Sequence, residues 1–247
     1  MENPDKEMDR IFGSSGSRFS GFEAEGIAMN ASQISEVIAP HLTEERKNRI
    51  EDILAQRSYS IATVVEGLAN TGNVSAVMRT AEGLGFQPFH IIEGDTPFKH
   101  STRTTQGAQK WLDVCQWPGS RECVDGLRRD GYQIVATHLS DASIPLSEVD
   151  LTQKTALVFG NEAGGISQEM LAEADVSCVI PSPGFIQSYN ISVAAAMTLY
   201  AAYSARVGKW GASGDLSAED RVRLRADFYM RSTKHAEDVL LRHLGLK

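Results

Sequence analysis

The chain of 247 residues holds only three cysteines, Cys115, Cys123 and Cys178. Their odd number excludes a closed disulfide framework, and their spacing excludes a cysteine metal site. Buried or free thiols in a reducing compartment are the expectation. The six histidines show no ligand spacing either, so no metal is expected. No apolar run approaches the ~18 residues a membrane-spanning helix requires, which argues against a membrane partner. The opening residues, Met1-Glu2-Asn3-Pro4-Asp5-Lys6-Glu7, lack both the apolar core of a signal peptide and the arginine-rich, acid-poor character of a transit peptide. A cytoplasmic location is expected, or an organelle should a targeting leader precede the chain. Basic residues are in deficit as well: 24 Lys and Arg face 32 Asp and Glu, for a net charge of −8. A nucleic-acid partner would therefore need a local basic face, not a global one. Seven acids and three bases fall in the first 40 residues, so the remainder is closer to neutral.

What is present is an alternation of short buried strands and helices. Strands are predicted at Ile61 to Val65, Phe89 to Ile92, Gln133 to Thr137, Thr155 to Phe159 and Val176 to Ile180. Helices are predicted over Val74 to Leu84, over Cys123 to Asp130, from Ser167, and over Ile191 to Arg206. This pattern indicates an α/β fold with a mostly parallel sheet and helices on both faces. Residues 1–42 read as a flexible polar extension, with a short helix near Ser32 to Ile38. Thr43 reads as the cap of a helix whose Arg46, Lys47, Arg49 and Arg57 either touch phosphates or form a solvated face. Residues 43–207 read as the main domain. Residues 208–247 read as a helical extension given local positive charge by Arg221, Arg223, Arg225, Arg231, Lys234 and Arg242.

Three strand-to-helix turns stand out, and such turns are where open α/β sheets bind ligands. The first runs from Glu66 through Asn73 to Arg79; either Arg79 lies along the carboxyl edge of the sheet, or Asn73 merely caps the helix and Arg79 is solvated. The second, Gly160-Asn161-Glu162-Ala163-Gly164-Gly165, is neither a P-loop nor a dinucleotide fingerprint, and a bare glycine-rich turn is often structural. The third runs from Ile180-Pro181-Ser182-Pro183-Gly184 to Ser188-Tyr189-Asn190, ahead of an alanine-rich helix. Gly184 is read as permitting a turn closed to other residues, and the helix N-terminus as favouring a polar or anionic ligand.

Together, in this order, the three turns resemble the signature motifs of the SpoU–TrmH branch of the SPOUT RNA methyltransferases, over roughly residues 43 to 206. The segment Val135-Ala136-Thr137-His138-Leu139-Ser140-Asp141 is similar to the stretch that borders the cofactor in that family. The resemblance implies a SPOUT α/β-knot fold with a C-terminal deep trefoil knot, S-adenosyl-L-methionine as cofactor, and transfer of its methyl group to a ribose 2′-hydroxyl of RNA. Arg79 would be the principal catalytic residue, with Asn73, Glu162, Ser188 and Asn190 organising it and the substrate. Thr137, Gly160, Ile180 and Tyr189 would line the cofactor pocket. The family would also make the chain a homodimer through the knot region, with Arg79 shared across the interface. The short lead-in and helical tail resemble the members that methylate the D-loop guanosine of tRNA. A ribosomal RNA substrate and a non-catalytic knotted RNA-binding dimer are the alternatives. The chain departs from the family at Ser182-Pro183, where methionine usually follows Pro181, and at Tyr189, where leucine is usual.

Overall fold

The computed structural model describes residues 19, 21–67, 70–93, 107–161 and 164–247. They form two compact units, one over Ser58–Ser213 and one joining Ser17–Arg57 to Gly214–Lys247.

The larger unit holds a seven-stranded sheet. Its strands are β3 (Ile61–Glu66), β4 (Pro88–Ile92), β5 (Asp113–Trp117), β6 (Gln133–Thr137), β7 (Ile144–Pro145), β8 (Thr155–Phe159) and β9 (Val176–Val179). They lie in the order β5-β4-β3-β8-β6-β9-β7, and every neighbouring pair is parallel. Strands β3, β4 and β8 are buried at every position, as parallel strands covered on both faces must be. On one face, Val65 and Phe159 pack with Val74, Val77, Met78 and Ala81 of α3 (Thr71–Gly83) and Ile191, Ala195, Leu199 and Ala202 of α6 (Ile191–Trp210). On the other, Ala62, Val64 and Val158 meet Cys123, Val124 and Leu127 of α4 (Ser120–Arg129) and Met170 of α5 (Gln168–Glu173). The expected α/β architecture is present.

The smaller unit differs from the expected division. Residues 21–41, read as a flexible extension, carry the hairpin β1 (Phe22–Ala24) and β2 (Ile27–Met29), and the short helix expected near Ser32 to Ile38 is present as α1 (Ala31–Ile38). Asn30 and Gln33 form a reciprocal capping box that fixes the start of α1, and Ile34 and Ile38 are fully buried. Helix α2 (Glu44–Leu54) is capped as expected, Thr43 Oγ1 accepting from Arg46 N at 3.2 Å. It groups with α1 and with α7 (Ala218–Ser232) and α8 (Ala236–His243), not with the sheet. The apolar sides of α1 and α2 pack on α7, which is why the two ends of the chain form one body.

One buried group makes the larger unit sensitive to acid. His90 on β4 is buried and accepts a hydrogen bond from Trp117 Nε1 at 2.9 Å. Burial pushes its imidazole down from 6.5 to about 4. The unfolded chain therefore takes up a proton on His90 between those values while the folded chain does not. Its contribution to stability is complete above the unfolded value and falls as pH drops toward the folded one. Between pH 7 and 5 the expected loss is about 2 kcal/mol. Urea unfolding at the two pH values measures it, and His90→Gln should flatten this part of the pH dependence.

Candidate active site

The carboxyl ends of β6, β8 and β9 and the first turn of α6 enclose a cleft of about 460 Å³. Its walls include Thr137, His138, Phe159, Gly160, Asn161, Cys178, Ile180, Gln187, Ser188, Tyr189 and Asn190. Each wall is fixed by local bonding. At the end of β6, Thr137 Oγ1 donates to Val158 O at 2.9 Å, and His138 N donates to Cys178 O at 2.9 Å. Ser143 Oγ donates to the His138 carbonyl at 2.7 Å, which holds that corner in place.

Beyond β8 the chain reverses within five residues. Asn161 N donates to Gly165 O at 3.1 Å and Gly165 N donates back to Asn161 O at 2.9 Å. A Cβ on Gly160 would stand 2.2 Å from the Gly165 carbonyl carbon and oxygen. Glycine is needed here for space, and the backbone is thereby bared to the cleft.

At the third wall, Asn190 is the N-cap of α6, its Oδ1 accepting from Ser192 N at 2.9 Å and Ser192 Oγ at 2.6 Å. The Tyr189 hydroxyl donates to Pro181 O at 3.2 Å. Gly184 differs from the expectation: its φ is not left-handed and a Cβ there would meet nothing within 4 Å. The turn is shaped by the prolines and by these side-chain bonds.

Of the residues singled out in the sequence, Thr137, Gly160, Ile180, Ser188, Tyr189 and Asn190 come together around the one cleft. Asn73 and Arg79 do not line it. The cap of α3 is Asn70, whose Oδ1 accepts from Gly72 N at 2.9 Å, so Asn73 is not the cap. Arg79 is exposed, and eight residues of helix at 1.5 Å each carry it about 12 Å from the start of α3, away from the carboxyl edge of the sheet. Glu162 lies outside the described residues.

Sequence reasoning missed Glu66. This carboxylate closes β3 and is buried, where it accepts from Ser167 N at 2.8 Å, from Ser167 Oγ at 2.7 Å and from Ser120 Oγ. It ties the starts of α4 and α5 to the sheet beside the second turn. The available signal was an acidic residue ending a strand that is otherwise apolar but for Thr63. Cys178 is also in the wall, but burial pushes its thiol up to about 11, so it is a poor nucleophile at neutral pH. Among the described residues no group of metal-ligating side chains occurs, and no helix is long and apolar enough to cross a membrane.

In the smaller unit the basic tail is largely neutralised. Arg225 grips Glu51 in a two-pronged pair and Arg221 stands 3.8 Å from the same carboxylate. Arg223 pairs with Asp220 and Arg231 with Asp227. Arg57, read as a phosphate contact, is buried with its guanidinium 5.6 Å from the centre of the Phe228 ring. Arg46 and Arg49 of α2 are exposed and make no ion pair among the described residues.

Residues 60–200 match the SpoU rRNA methylase family. A tRNA (guanosine(18)-2′-O)-methyltransferase of Borreliella burgdorferi is 35% identical over 199 residues, covering 81% of this chain and 91% of the relative. The crystal structure of an A. aeolicus TrmH/SpoU tRNA modifying enzyme superposes with a TM-score of 0.70 at 31% identity, over 76% of this chain and 97% of that one. An AdoMet-bound rRNA methyltransferase from Sinorhizobium meliloti is similar at a TM-score of 0.55 and 26% identity, over 63% of this chain and 59% of that one. With more than half its length inside the family's limits, and a relative above 30% identity matched along nearly all of its own length, the chain belongs to the SpoU methylase family.

Proposed function

We propose that the chain is an S-adenosyl-L-methionine-dependent methyltransferase that methylates the ribose 2′-hydroxyl of the D-loop guanosine, position 18, of tRNA. The observation that carries this reading is the convergence of Thr137, Gly160, Ile180, Ser188, Tyr189 and Asn190 on one cleft at the carboxyl edge of the sheet. A cofactor that is mostly a nucleoside suits a wall of bare backbone and small polar groups. Thr137, Gly160, Ile180 and Tyr189 would hold the cofactor, which supplies an electrophilic methyl group. The catalytic unit is Ser58–Ser213, with the stretch from β9 through α6 proposed to thread as the deep trefoil knot.

A ribose hydroxyl must lose its proton as its oxygen attacks. The Arg79 guanidinium, fixed in its charge, is suited to stabilising the developing alkoxide and clamping a neighbouring phosphate. The proton passes to another acceptor. Asn73, Glu162, Ser188 and Asn190 would orient the sugar. Because Arg79 does not line the cleft of its own chain, a second copy is proposed to supply it. Exposed Val193, Met197 and Tyr200 form one apolar face of α6 at helical spacing, the kind of surface a homodimer covers. The activity so described belongs in the cytoplasm, where tRNA is the partner and no metal is needed.

The deciding experiment is ribose-methylation mapping on an unmodified tRNA transcript incubated with the protein and labelled cofactor. A single 2′-O-methyl group on guanosine 18 is expected. Methyl transfer confined to ribosomal RNA, or RNA binding with no transfer, would overturn the reading.

The ion pairing of the tail implies that α2, not α7, supplies the phosphate contacts of the smaller unit. In tRNA-binding titrations over salt concentration, Arg46→Ala and Arg49→Ala should each lower the slope of log K against log salt by about 0.7 to 0.9. Arg225→Ala should leave that slope unchanged, since its charge is already matched by Glu51.

A further inference from the structure

Between the end of β9 and the start of α6 the chain crosses eleven residues, 180–190, with no helix or strand. Its outer part is bare: Phe185 and Ile186 are exposed to 110% and 57%. Its inner part, Gln187, Ser188 and Tyr189, forms a wall of the cleft. A segment with one side in solvent and so little apolar burial has few contacts to hold it in one conformation. Two side-chain bonds do so. Ser182 Oγ donates to Ile186 O at 3.1 Å and closes the outer turn. The Tyr189 hydroxyl donates to Pro181 O at 3.2 Å, bridging eight residues and so closing the mouth of the whole loop. Pro181 has a fixed φ and directly follows Ile180, which also lines the cleft, so this bond ties two stretches of the lining together.

From this geometry we infer that Tyr189 is a positioning residue: its phenolic hydroxyl holds the loop in the binding conformation before any ligand arrives. The leucine usual in the family at this place has no hydroxyl and cannot make the bond. The inference rests on the reading of the cleft as a nucleoside-cofactor site, and adds to it a mechanism of preorganisation. A site ordered in advance spares the ligand the entropy of ordering it. The hydroxyl, as donor to Pro181 O, acts through the loop and takes no proton from substrate.

Tyr189→Phe removes the oxygen alone. One net hydrogen bond at stake corresponds to a two- to tenfold change in an equilibrium constant. Calorimetric titration with S-adenosylhomocysteine should show binding weakened about three- to tenfold. Hydrogen exchange of the amides at 182–188 should quicken by a similar factor in the ligand-free protein, and less in the loaded one. Transfer to tRNA should fall at low cofactor concentration and recover as that concentration is raised. Tyr189→Leu should weaken binding at least as much as Tyr189→Phe. Unchanged affinity and exchange in Tyr189→Phe would overturn the inference, as would wild-type affinity in Tyr189→Leu. If the wild-type protein bound no S-adenosylhomocysteine, the cofactor reading itself would fall, while the exchange comparison would still decide whether the hydroxyl orders the loop.

Discussion

Gly160→Ala is expected to remove cofactor binding and to destabilise the larger unit by about 3 to 5 kcal/mol, an overpacking cost plus the loss of two backbone hydrogen bonds. The new methyl carbon would lie 2.2 Å from both the carbon and the oxygen of the Gly165 carbonyl, and 2.3 Å from Ile166 N. All three are main-chain atoms, so no rotamer change relieves the clash. Relief requires the five-residue reversal to open, which breaks the paired bonds between Asn161 and Gly165. It would also displace Ser167, which caps α5 and donates to the buried Glu66 carboxylate. Thermal or urea unfolding of the variant, with calorimetry against S-adenosylhomocysteine, measures both losses. Gly184→Ala is the contrast: a Cβ at that position meets open space, so wild-type stability is expected. Equal behaviour of the two variants would mean that the glycine in the second turn is not a steric requirement.

These two glycines show how far the sequence could be read. Both sit in turns after buried strands and look alike on paper; only the packing of Gly165 against Gly160 separates them. The central strands were legible because a parallel strand buried on both faces is a near-continuous apolar run, as over Ile61–Val65, interrupted only by Thr63, and Ala156–Phe159. Strand β5 was not, because Asp113 and Gln116 of this edge strand break that run. Helix α1 was legible near Ser32 to Ile38, and the Asn30 and Gln33 capping box fixes its start; the hairpin before it was not, because its strands are three residues each in a polar setting. Two walls of the cleft were legible, as the second and third turns, because their order along the chain matched a known pattern and strand ends in one parallel sheet point the same way. The charge of the tail was misleading for the opposite reason. Arg225 finds its partner 174 residues away in Glu51, and nothing local foretells such a pairing. The place of Arg79 was illegible too, since it depends on how far α3 carries the residue past the edge of the sheet.

That displacement makes Arg79 the most informative residue for the chemistry. Arg79→Ala is expected to lower the rate of methyl transfer about 100- to 1000-fold, the usual effect of removing one group that stabilises charge in a transition state. Stability should change little, because the side chain is exposed and makes no ion pair among the described residues. Cofactor affinity should be retained, since the residue is absent from the walls of the cleft. Single-turnover transfer to unmodified tRNA, beside calorimetry and thermal unfolding, separates these quantities. Arg79→Lys tests the proposed role further. A lysine keeps the charge but not the two-pronged fork, so partial recovery is expected if charge dominates and almost none if the clamp on phosphate dominates. Within the proposed homodimer, mixed protomers test which chain supplies the residue. When Arg79→Ala and Asn190→Ala protomers are combined, a site that draws Arg79 from its partner regains all its groups in one of two positions. Transfer should then rise well above either parent, toward a quarter of the wild-type rate for random mixing. If Arg79 served only its own chain, every site would lack one residue and mixing would restore nothing.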